Sequence, residues 1–407
     1  MAEWPTVRFE EIAAPEKSAF SKPYGSAYTR NDYVLSGIPL VRGVNLGAGP
    51  FHDDDFVFIS SEKADTLPGA NLKPGDLVIT HRGTIGQVSM IPRNPRHDRY
   101  VLSTSQVKAR LDRAKAVPEF YYYWLLSPVG QKEILQHVST VGVPGLVQPV
   151  ATVKSFKVPV PSLDEQRTVV AVLGALDDKI AVNERIAATG DALAKARHGQ
   201  VERDLSGATP LGQLATVVVG GTPSRSKSEY WTQGTVNWIN SSKANEFRVV
   251  EPSEMITESG LVGSSVKMMP PGATLIGITG ATMGKISRLE ILAGGSQNVA
   301  GVWSSNPALS DWLFYEIQAR VADLVKHASG GAQQHINKRV ITELECAVPD
   351  HPGLTEWHTI ASPLLARVAH SLLENLTLAA LRDTLLPQLM SGRLRVKDAE
   401  KIVEDHV

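Results

Sequence analysis

The stretch PSLDEQRTVVAVLGALDDKIAVN, residues 161–183, decides the fold of this chain. Ser162 and Glu165 have the spacing of a capping box, which predicts that a helix begins here. An apolar stripe suited to packing along another helix follows in steps of four, three and four, at Val169, Leu173, Leu176 and Ile180. Asn183 interrupts this stripe, and a polar residue on such a seam fixes register with a specific partner helix.

The C-terminal stretch 354–392 is predicted to be that partner. It carries a second apolar stripe with an asparagine set into it: Leu364, Val368, Leu372, Asn375, Leu378, Leu381 and Leu385. A shift of 192 residues aligns Ile180 with Leu372, Asn183 with Asn375, Ile186 with Leu378 and Leu193 with Leu385. Self-similarity at a fixed interval indicates a duplication, so each half of the chain is expected to end in one long helix.

Length and composition narrow the class of protein. A chain of 407 residues is too long for one hydrophobic core and predicts two or three domains. We find no charged-then-apolar leader and no apolar run that we expect to cross a bilayer, so a cytoplasmic location is expected. The single cysteine, Cys346, excludes an internal disulfide and is expected to be a small buried apolar residue. A net charge of −1 means that any nucleic acid must be met by local patches.

The first half, up to about residue 160, is interpreted as a mixed α/β domain with buried strands at 37–45 and 76–80. One run in it has six positive charges in excess: Arg82, Arg93, Arg96, Arg99, Lys108, Arg110, Arg113 and Lys115 against Asp98 and Asp112. Such a run suits a phosphate backbone, although charge alone supports a solvated face equally well. An aromatic helix is predicted at 118–137, and core packing explains its rings better than base stacking does.

The second half repeats this order from Pro210. Strands are predicted at 236–240 and 273–279, and an amphipathic helix at 311–327 matches the aromatic helix. Further landmarks keep their order, namely 105–106 with 296–297, His137 with His327, and 156–159 with 344–347. Their offsets vary, so the match is one of elements with insertions in the loops.

A search for catalytic chemistry finds little. The segment 280–286 lacks the spacing and the hydroxyl of a phosphate loop, and with 83–87 it indicates a tight strand turn. Dinucleotide, metal-ligand and serine-elbow motifs are missing, as is the tetrapeptide with which an amino-methyltransferase holds a flipped base. Asp177 and Asp178 point about 100° apart on a helix and predict a solvated face. The residues themselves therefore favour a non-catalytic binding protein built twice, without a metal or a cofactor of its own.

Several segments resemble the DNA specificity subunits of type I restriction-modification systems. Residues 159–167 (PVPSLDEQR), followed by 176–180 (LDDKI) and Asn183, are similar to the central region of those subunits. Residues 381–392 (LRDTLLPQLMSG) resemble their distal region, and 221–224 (GTPS) and 330–336 (GGAQQHI) resemble target-recognition sequences.

The chain departs from the family pattern in its second helix region. Residues 351–358 lack the Gln-Arg pair and the capping serine, and Ser362-Pro363 predicts that the helix restarts or kinks there. In the first helix, Gly190 costs about 1 kcal/mol of helix stability relative to alanine. The loop at 142–145 is also a weaker match than its counterpart in the second half.

The resemblance implies an α+β fold, with two mixed α/β target recognition domains separated by two long antiparallel coiled-coil helices and an internal pseudo-repeat. The expected segments are recognition domain 1 at 1–160, a central helix at 161–203, recognition domain 2 at 204–352 and a distal helix at 353–407. About 39 helical residues span about 58 Å. Half-sites one DNA turn apart are separated by about 34–36 Å, so such helices are long enough.

The function implied is that of a non-catalytic subunit. Each recognition domain would read one half of a split, asymmetric target in double-stranded DNA. Two methyltransferase subunits carrying S-adenosylmethionine would dock on the helices and domains to form an adenine-specific methylase, and restriction/translocase subunits would complete the nuclease. No membrane is involved.

Candidate residues follow from the resemblance together with the chemistry of DNA contacts. The DNA-binding candidates are Arg82, Arg96 and Lys108 in the first domain and Thr222, Lys227, Lys243, Lys285, Gln333 and Gln334 in the second. The candidates for the helix seam and for partner docking are Leu173, Leu176, Ile180, Asn183, Leu372, Asn375 and Leu378.

Three other classes of protein are alternatives to a type I specificity subunit. A stand-alone methyltransferase would need a cofactor loop and a catalytic tetrapeptide. A pure scaffold would leave the basic run from Arg82 to Lys115 without a use. A specificity or scaffold protein diverted to another DNA modification or defence system, without a nuclease partner, could have the same sequence, and neighbouring genes would distinguish it.

Overall fold

The computed structural model describes residues 4–25, 27–47, 51–139, 144–201, 207–328 and 334–404. The chain forms two compact units: Met1–Lys179 with Leu378–Val407, here unit 1, and Ile180–Thr377, here unit 2. Each unit holds one mixed α/β recognition domain and one portion of each long helix. The boundaries at 160, 203 and 352 stay a prediction.

Short strands and four short helices make up the described part of recognition domain 1. The strands are β1 Thr6–Arg8, β2 Phe20–Ser21, β3 Tyr33–Val34, β4 Ile38–Val41, β5 Val57–Ile59, β6 Asn71–Leu72, β7 Leu77–Thr80, β8 Val88–Met90, β9 Tyr100–Leu102, β10 Gln106–Ala109, β11 Val138–Ser139, β12 Gly145–Leu146 and β13 Lys157–Pro159. The helices are α1 Ser61–Asp65, α2 Pro118–Leu126, α3 Pro128–Leu135 and α4 Pro149–Ser155. The predicted strand at 76–80 is confirmed as β7, and the one at 37–45 only in part, as β4, because residues 43–45 form a 3-10 helix.

Recognition domain 2 follows the long helix α5, Leu163–Gln200. Its strands are β14 Thr209–Pro210, β15 Thr216–Val219, β16 Val236–Ile239, β17 Arg248–Val249, β18 Glu254–Ile256, β19 Met268–Met269, β20 Thr274–Gly277, β21 Ile286–Leu289, β22 Ala293–Gly295, β23 Val299–Trp303 and β24 Glu345–Cys346. Its helices are α6 Leu211–Leu214, α7 Glu258–Val262, α8 Pro307–Ala319, α9 Val321–Lys326 and α10 Lys338–Thr342. The second long helix, α11, is His351–Met390, and α12 is Val396–Glu404.

The sheets confirm the duplication. Domain 1 contains the strand orders β2-β10-β7-β8 and β3-β5-β4-β9-β6, and domain 2 contains β15-β23-β20-β21-β17 and β18-β16-β22-β19. Even the parallel pair within otherwise antiparallel sheets recurs, as β4 with β9 and as β16 with β22. In both domains the strand before the long helix pairs with the first strand of its own domain, β13 with β1 and β24 with β14.

The sheet register corrects one predicted landmark. The amide of Ser103 donates to the Val41 carbonyl at 3.0 Å, and the amide of Ser296 donates to the Ile239 carbonyl at 2.9 Å, at the same point of the repeat. Residues 103–104, and not 105–106, therefore correspond to 296–297. The predicted correspondence was shifted by two residues because the turn between β9 and β10 contains several similar polar residues.

The aromatic helix of domain 1 is a core element, as predicted. The rings of α2 are buried, including Phe120, Tyr121 and Trp124. The expected single helix is broken at Ser127, whose hydroxyl caps α3 by accepting from the Gly130 amide at 3.3 Å. The counterpart in domain 2 is likewise divided into α8 and α9, at Arg320.

The predicted capping box begins α5. The Ser162 amide and hydroxyl donate to Glu165 Oε2 at 2.9 and 2.8 Å, and the Glu165 amide donates back to Ser162 Oγ at 3.3 Å. These hydrogen bonds from Ser162 lower the pKa of the Glu165 carboxyl. The second long helix has its own cap, which the sequence analysis missed, because Asp350 Oδ1 accepts from the Gly353 amide at 2.9 Å.

Helix α11 runs through Pro363 without a break, so the predicted restart is wrong. Pro363 lies on the exposed side of the helix, while Ala361 and Leu365 on either side of it are buried. Packing of these neighbours holds the helix together although the proline removes one backbone donor. The helix ends at Met390, and Gly392 after it has a φ of +65°, the left-handed conformation of a helix C-cap. The predicted distal helix 353–407 is therefore two helices, α11 and α12.

Within each unit the two helix portions run antiparallel. In unit 2, Asn183 Nδ2 donates to Asn375 Oδ1 at 2.9 Å, and Asn375 Nδ2 donates to the Ile180 carbonyl at 3.2 Å. Further along, a Cβ added at Gly190 would lie 3.1 Å from Val368 Cγ2, so the glycine permits a close approach of the helices. In unit 1, Asp177 meets Arg382 at 2.8 Å.

Helix α11 also qualifies as a membrane span by length and composition, with a mean hydropathy of 1.2 in one 18-residue window, contrary to the expectation from sequence. One such helix is weak evidence, since the core helix of a soluble protein passes the same test. Ser371 of α11 is buried, and Asn375 is hydrogen-bonded to α5. We attribute the apolar composition of α11 to helix packing.

Candidate nucleic-acid interface

In each recognition domain, a tight turn lies beside a glycine-containing loop that resembles family recognition sequences. Arg82, just after β7, forms an isolated β-bridge with Gly145, and Thr279, just after β20, forms one with His335. Residues 142–143 and 330–333 of these loops, including the candidate Gln333, lie outside the described residues. The two features that the sequence analysis selected separately are thus neighbours in both domains.

The turns between β7 and β8 and between β20 and β21 need glycine. The φ angles are +91° at Gly83, +93° at Gly86, +60° at Gly280 and +77° at Gly284, which L side chains rarely adopt. This confirms the tight strand turn predicted in place of a phosphate loop. The turns leave Arg82 and Lys285 exposed, and no carboxylate of the described residues lies within ion-pair distance of either.

The two other candidates of domain 1 differ from each other. Arg96 is exposed, and its backbone amide donates to Asp53 Oδ2 at 2.7 Å. Lys108 is 0% exposed, and its Nζ donates to the carbonyls of Gly69 and Asn71 at 2.9 and 3.0 Å. Burial lowers its pKa to about 8. Because its amine is used inside the domain, the structure argues against a DNA contact by Lys108.

The basic run does not form one positive patch. Its members are neutralised by groups distant in sequence: Arg93 by Glu119, Arg99 by Asp65, and Arg110 by Asp76 and Glu16, at 2.6 to 2.8 Å. Lys115 donates to the Glu11 carbonyl at 3.2 Å. The positive charge that faces solvent is mainly that of Arg82, Arg96, Arg113 and Lys115.

The candidates of domain 2 are spread over several loops. Thr222 Oγ1 donates to Gln297 Oε1, which joins the loop after β15 to the turn after β22. Lys227 is exposed and donates to Tyr230 Oη at 2.9 Å, and Gln334 is exposed next to His335. Lys243 is buried and paired with Glu246 at 2.8 Å, so the structure argues against a DNA contact by its amine.

Sequence reasoning missed three exposed groups of domain 2. Gln297 and His335 lie at the turn and loop described above. Arg225 stacks on Trp231, with its Cζ 3.5 Å from the ring centroid, and pairs with Glu254 at 2.6 Å. The alternation of basic and aromatic residues from 225 to 231 was a signal for this last group.

The predicted helix-seam residues are only partly on the seam. Leu173, Leu176, Asn183 and Leu378 are buried, whereas Ile180, Leu372 and Asn375 are half-buried. Leu193 is 46% exposed and does not reach the seam, because the small residues Ala187, Gly190 and Ala194 occupy it there. The buried side chains stabilise the helix pair. Docking of a partner subunit to these residues stays a prediction.

Two further predictions concern Cys346 and Asp177. Burial raises the pKa of the Cys346 thiol to about 12, which makes it the inert core residue that was predicted. The prediction that Asp177 is solvated is wrong, because its carboxylate accepts hydrogen bonds from Tyr123 Oη at 2.7 Å and from Arg382. Among the described residues, no group of three His, Cys, Asp or Glu could hold a metal ion.

Comparisons with known proteins agree with this picture. Residues 1–189 match the family model "Type I restriction modification DNA specificity domain". The chain is 22% identical over 268 residues, 61% of this chain and 63% of the relative, to the EcoR124I/EcoR124II specificity subunit of Escherichia coli. It is 22% identical over 378 residues, 84% of this chain and 85% of the relative, to the MjaIX specificity subunit of Methanocaldococcus jannaschii.

A solved structure supports the same fold. The S subunit of a type I restriction-modification system from M. genitalium superposes with a TM-score of 0.59 at 13% identity, covering 95% of this chain and 96% of that chain. The family predicted from the central and distal segments is therefore confirmed. Over residues 1–189 the chain matches the DNA specificity domain of type I restriction-modification systems, and over most of its length it is similar to a specificity subunit of such a system.

Proposed function

We propose that the chain is the non-catalytic DNA sequence-specificity subunit of a type I restriction-modification methyltransferase and endonuclease complex. Each recognition domain would read one half of a bipartite target, and α5 and α11 would set the spacing and dock the partner subunits. The proposed partners are double-stranded DNA, two methyltransferase subunits that bring S-adenosylmethionine for adenine methylation, and restriction/translocase subunits. The proposed location is the cytoplasm.

The observation that carries this proposal is the duplicated recognition surface with different side chains at equivalent positions. The ladder places Arg82 opposite Gly145 where the repeat has Thr279 opposite His335. Gln87 and Lys285 are also equivalent, because their carbonyls accept from Thr80 and Gly277 at 3.0 and 2.9 Å. Since side chains at base edges determine which bases are read, the two half-targets should differ.

The partner assignments rest on family membership and on what the described residues lack. No described cluster offers a metal site, and the long helices bury their polar seam between themselves. Exposed apolar side chains remain on the helices, namely Val182, Leu193, Ile360, Leu373 and Leu376. These residues are available for contacts with other subunits.

Single-molecule methylation mapping tests the proposal. Genomic DNA would be compared between cells that express this chain with its adjacent methyltransferase gene and cells that lack only this chain. We expect adenine methylation at a split, asymmetric motif only when the chain is present. A methylation pattern that is the same in both cells, while the complex still assembles, would overturn the proposed function.

A further inference from the structure

Each recognition domain is joined to α5 by a tyrosine hydroxyl that donates to an aspartate of that helix. In unit 1, Tyr123 Oη donates to Asp177 Oδ2 at 2.7 Å. In unit 2, Tyr315 Oη donates to Asp191 Oδ1 at 2.8 Å. We call these two contacts the tyrosine clamps.

An arginine completes each clamp. Arg382 Nη1 of α11 donates to Asp177 Oδ1 at 2.8 Å in unit 1. In unit 2 the arginine comes from the recognition domain, where Arg248 of β17 donates to Asp191 Oδ1. Each aspartate thus accepts from a tyrosine of its recognition domain and from a guanidinium, and hydrogen bonds to a charged acceptor are the strong ones.

The two tyrosines are suited to fixing the angle between a recognition domain and α5. Burial, and then the neighbouring aspartate, raise the pKa of Tyr123 and of Tyr315, so both remain hydroxyl donors at neutral pH. A tyrosine side chain has few rotatable bonds and its ring is held by packing. A hydrogen bond from such a ring to a helix restricts rotation of the domain about the axis of that helix.

The duplication does not explain the clamps. The shift of 192 residues places Asp177 at Ala369 and Asp383 opposite Asp191, so the two aspartates are not equivalent in the repeat. In unit 1 the carboxylate lies on the helix that follows its domain, and in unit 2 on the helix that precedes its domain. Tyr123 and Tyr315 are equivalent in the repeat, but the aspartates that accept from them lie at positions that the repeat does not relate.

We propose, on the basis of the proposed function, that Tyr123, Asp177, Tyr315 and Asp191 are positioning residues for target spacing. One base pair added between the half-targets moves one of them by about 3.4 Å and rotates it by about 35°. A domain that is clamped in angle on α5 cannot follow that rotation. A domain that has lost its clamp can follow that rotation. The clamps therefore restrict the chain to one spacer length.

The experiment uses the complex of the full chain with its methyltransferase subunits. Methylation rates are measured on DNA duplexes that carry the mapped target with its natural spacer or with one base pair more or fewer. The variants are Tyr123→Phe, Asp177→Ala and Tyr315→Phe. Asp178→Ala is the matched control, because Asp178 is the exposed neighbour of Asp177 on the same helix.

For Tyr123→Phe and Tyr315→Phe we expect the rate on the altered spacers, relative to the natural one, to rise about tenfold, the factor that one such hydrogen bond contributes. Asp177→Ala should do the same or more, and Asp178→Ala should leave the ratio unchanged. Phenylalanine keeps the ring in place, and thermal unfolding of each complex would show that the variants are folded.

Two results would overturn the proposal. If the unaltered chain directs methylation to a split target and the clamp variants keep its strict spacer preference, the clamps do not position the domains. If the variants slow methylation equally at every spacer, their role is merely structural. A complex with the unaltered chain that methylates no split target would instead refute the proposed function, and the inference with it.

Discussion

The two units share a fold but attach their recognition domains to the helices in different ways. In unit 2 the contact is a buried network, in which Arg248 pairs with Asp191 and with Glu290, the latter at 3.6 Å, and its side chain is 0% exposed. Trp312, Tyr315 and Trp357 pack beside it in one apolar cluster. In unit 1 the ion pair of Asp177 with Arg382 is 20% exposed on each side.

This difference shows what the duplication preserved. The central ladders of the sheets recur in both domains, including the parallel pair of β4 with β9 and of β16 with β22, while the edge strands β3 and β17 differ. Backbone pairing depends little on which side chains are present. The contacts between domain and helix depend on individual side chains and have diverged. Unit 2 should therefore lose more stability than unit 1 when one charge of its contact is removed.

The largest effect is expected for Arg248→Ala. Removing this guanidinium leaves Asp191 without its buried counter-charge, while Glu290 keeps Arg288, and should cost about 3–5 kcal/mol of unfolding free energy. The matched change in unit 1, Arg382→Ala, should cost about 1 kcal/mol, because water reaches that pair. Urea unfolding of the full chain measures both. Equal losses for the two variants would contradict the comparison.

Lys108 gives domain 1 a titrating group that its counterpart in the ladder of domain 2, Gly301, does not supply. Burial lowers the pKa of Lys108 to about 8, below the ordinary value of 10.5. Between these two values the unfolded chain binds more protons, so stability should rise with pH there, by on the order of 2–3 kcal/mol. Lys108→Met should remove that rise, as measured by urea unfolding between pH 7.5 and 10.5. An unchanged slope would show that Lys108 is not the group responsible.

The asparagine pair of unit 2 should show strong coupling. Asn183→Leu alone leaves Asn375 Oδ1 without its donor and should cost about 1–3 kcal/mol, and Asn375→Leu should behave similarly. The double variant should be close to the unaltered chain in stability, because both polar groups are replaced by apolar ones. A double-mutant cycle of thermal unfolding measures the coupling. Additive losses would mean that the two amides do not act as a pair.

Charge reversal should separate the exposed arginines of domain 1 from its buried lysine. Arg82→Glu with Arg96→Glu should weaken binding about tenfold or more and reduce its dependence on salt, because phosphate contacts are lost. Lys108→Met should leave binding near that of the unaltered chain. Gel-shift titration at several salt concentrations, with the methyltransferase subunits present, gives both values. Unchanged binding by the Arg82 and Arg96 double variant would dispose of the assignment.

The helix caps should show the smallest difference between the units. Ser162→Ala and Asp350→Ala each remove one cap acceptor and should each cost about 1 kcal/mol. The Ser162 hydrogen bonds hold the pKa of Glu165 low, so their contribution is present at neutral pH and is lost as the pH falls through the acid range. Thermal unfolding at pH 7 and pH 3 checks this. A difference of several kcal/mol between the two cap variants would be unexpected.

Features that depend on local sequence could be predicted. The capping box at Ser162, the Asn183 and Asn375 pair, the tight turns and the duplication all follow from spacings of a few residues or from one fixed interval. Predictions failed where partners come from far along the chain. The basic run was misjudged because Glu16, Asp65 and Asp76 fold back on it, and Lys108 because two backbone carbonyls surround its amine.

Leu173 and Leu176 of the predicted seam are buried, whereas Leu193, which the repeat aligns with Leu385, is exposed. A repeat of large apolar residues identifies a seam of ordinary width. It does not identify a close approach, where Ala187, Gly190 and Ala194 are the residues in contact. For the same reason the tyrosine clamps were missed, since an aspartate on a helix has the same sequence signal whether it is solvated or buried against another domain.

The most direct test of the account is an exchange of recognition domains. Residues 1–160 would be replaced by the corresponding segment of a relative with a different mapped target, and the methylated motif would be determined by single-molecule sequencing. The account predicts that one half of the split motif changes to that of the relative, while the other half and the spacer length stay the same. A change in both halves, or no change in either, would contradict the claim that each domain reads its own half of the target.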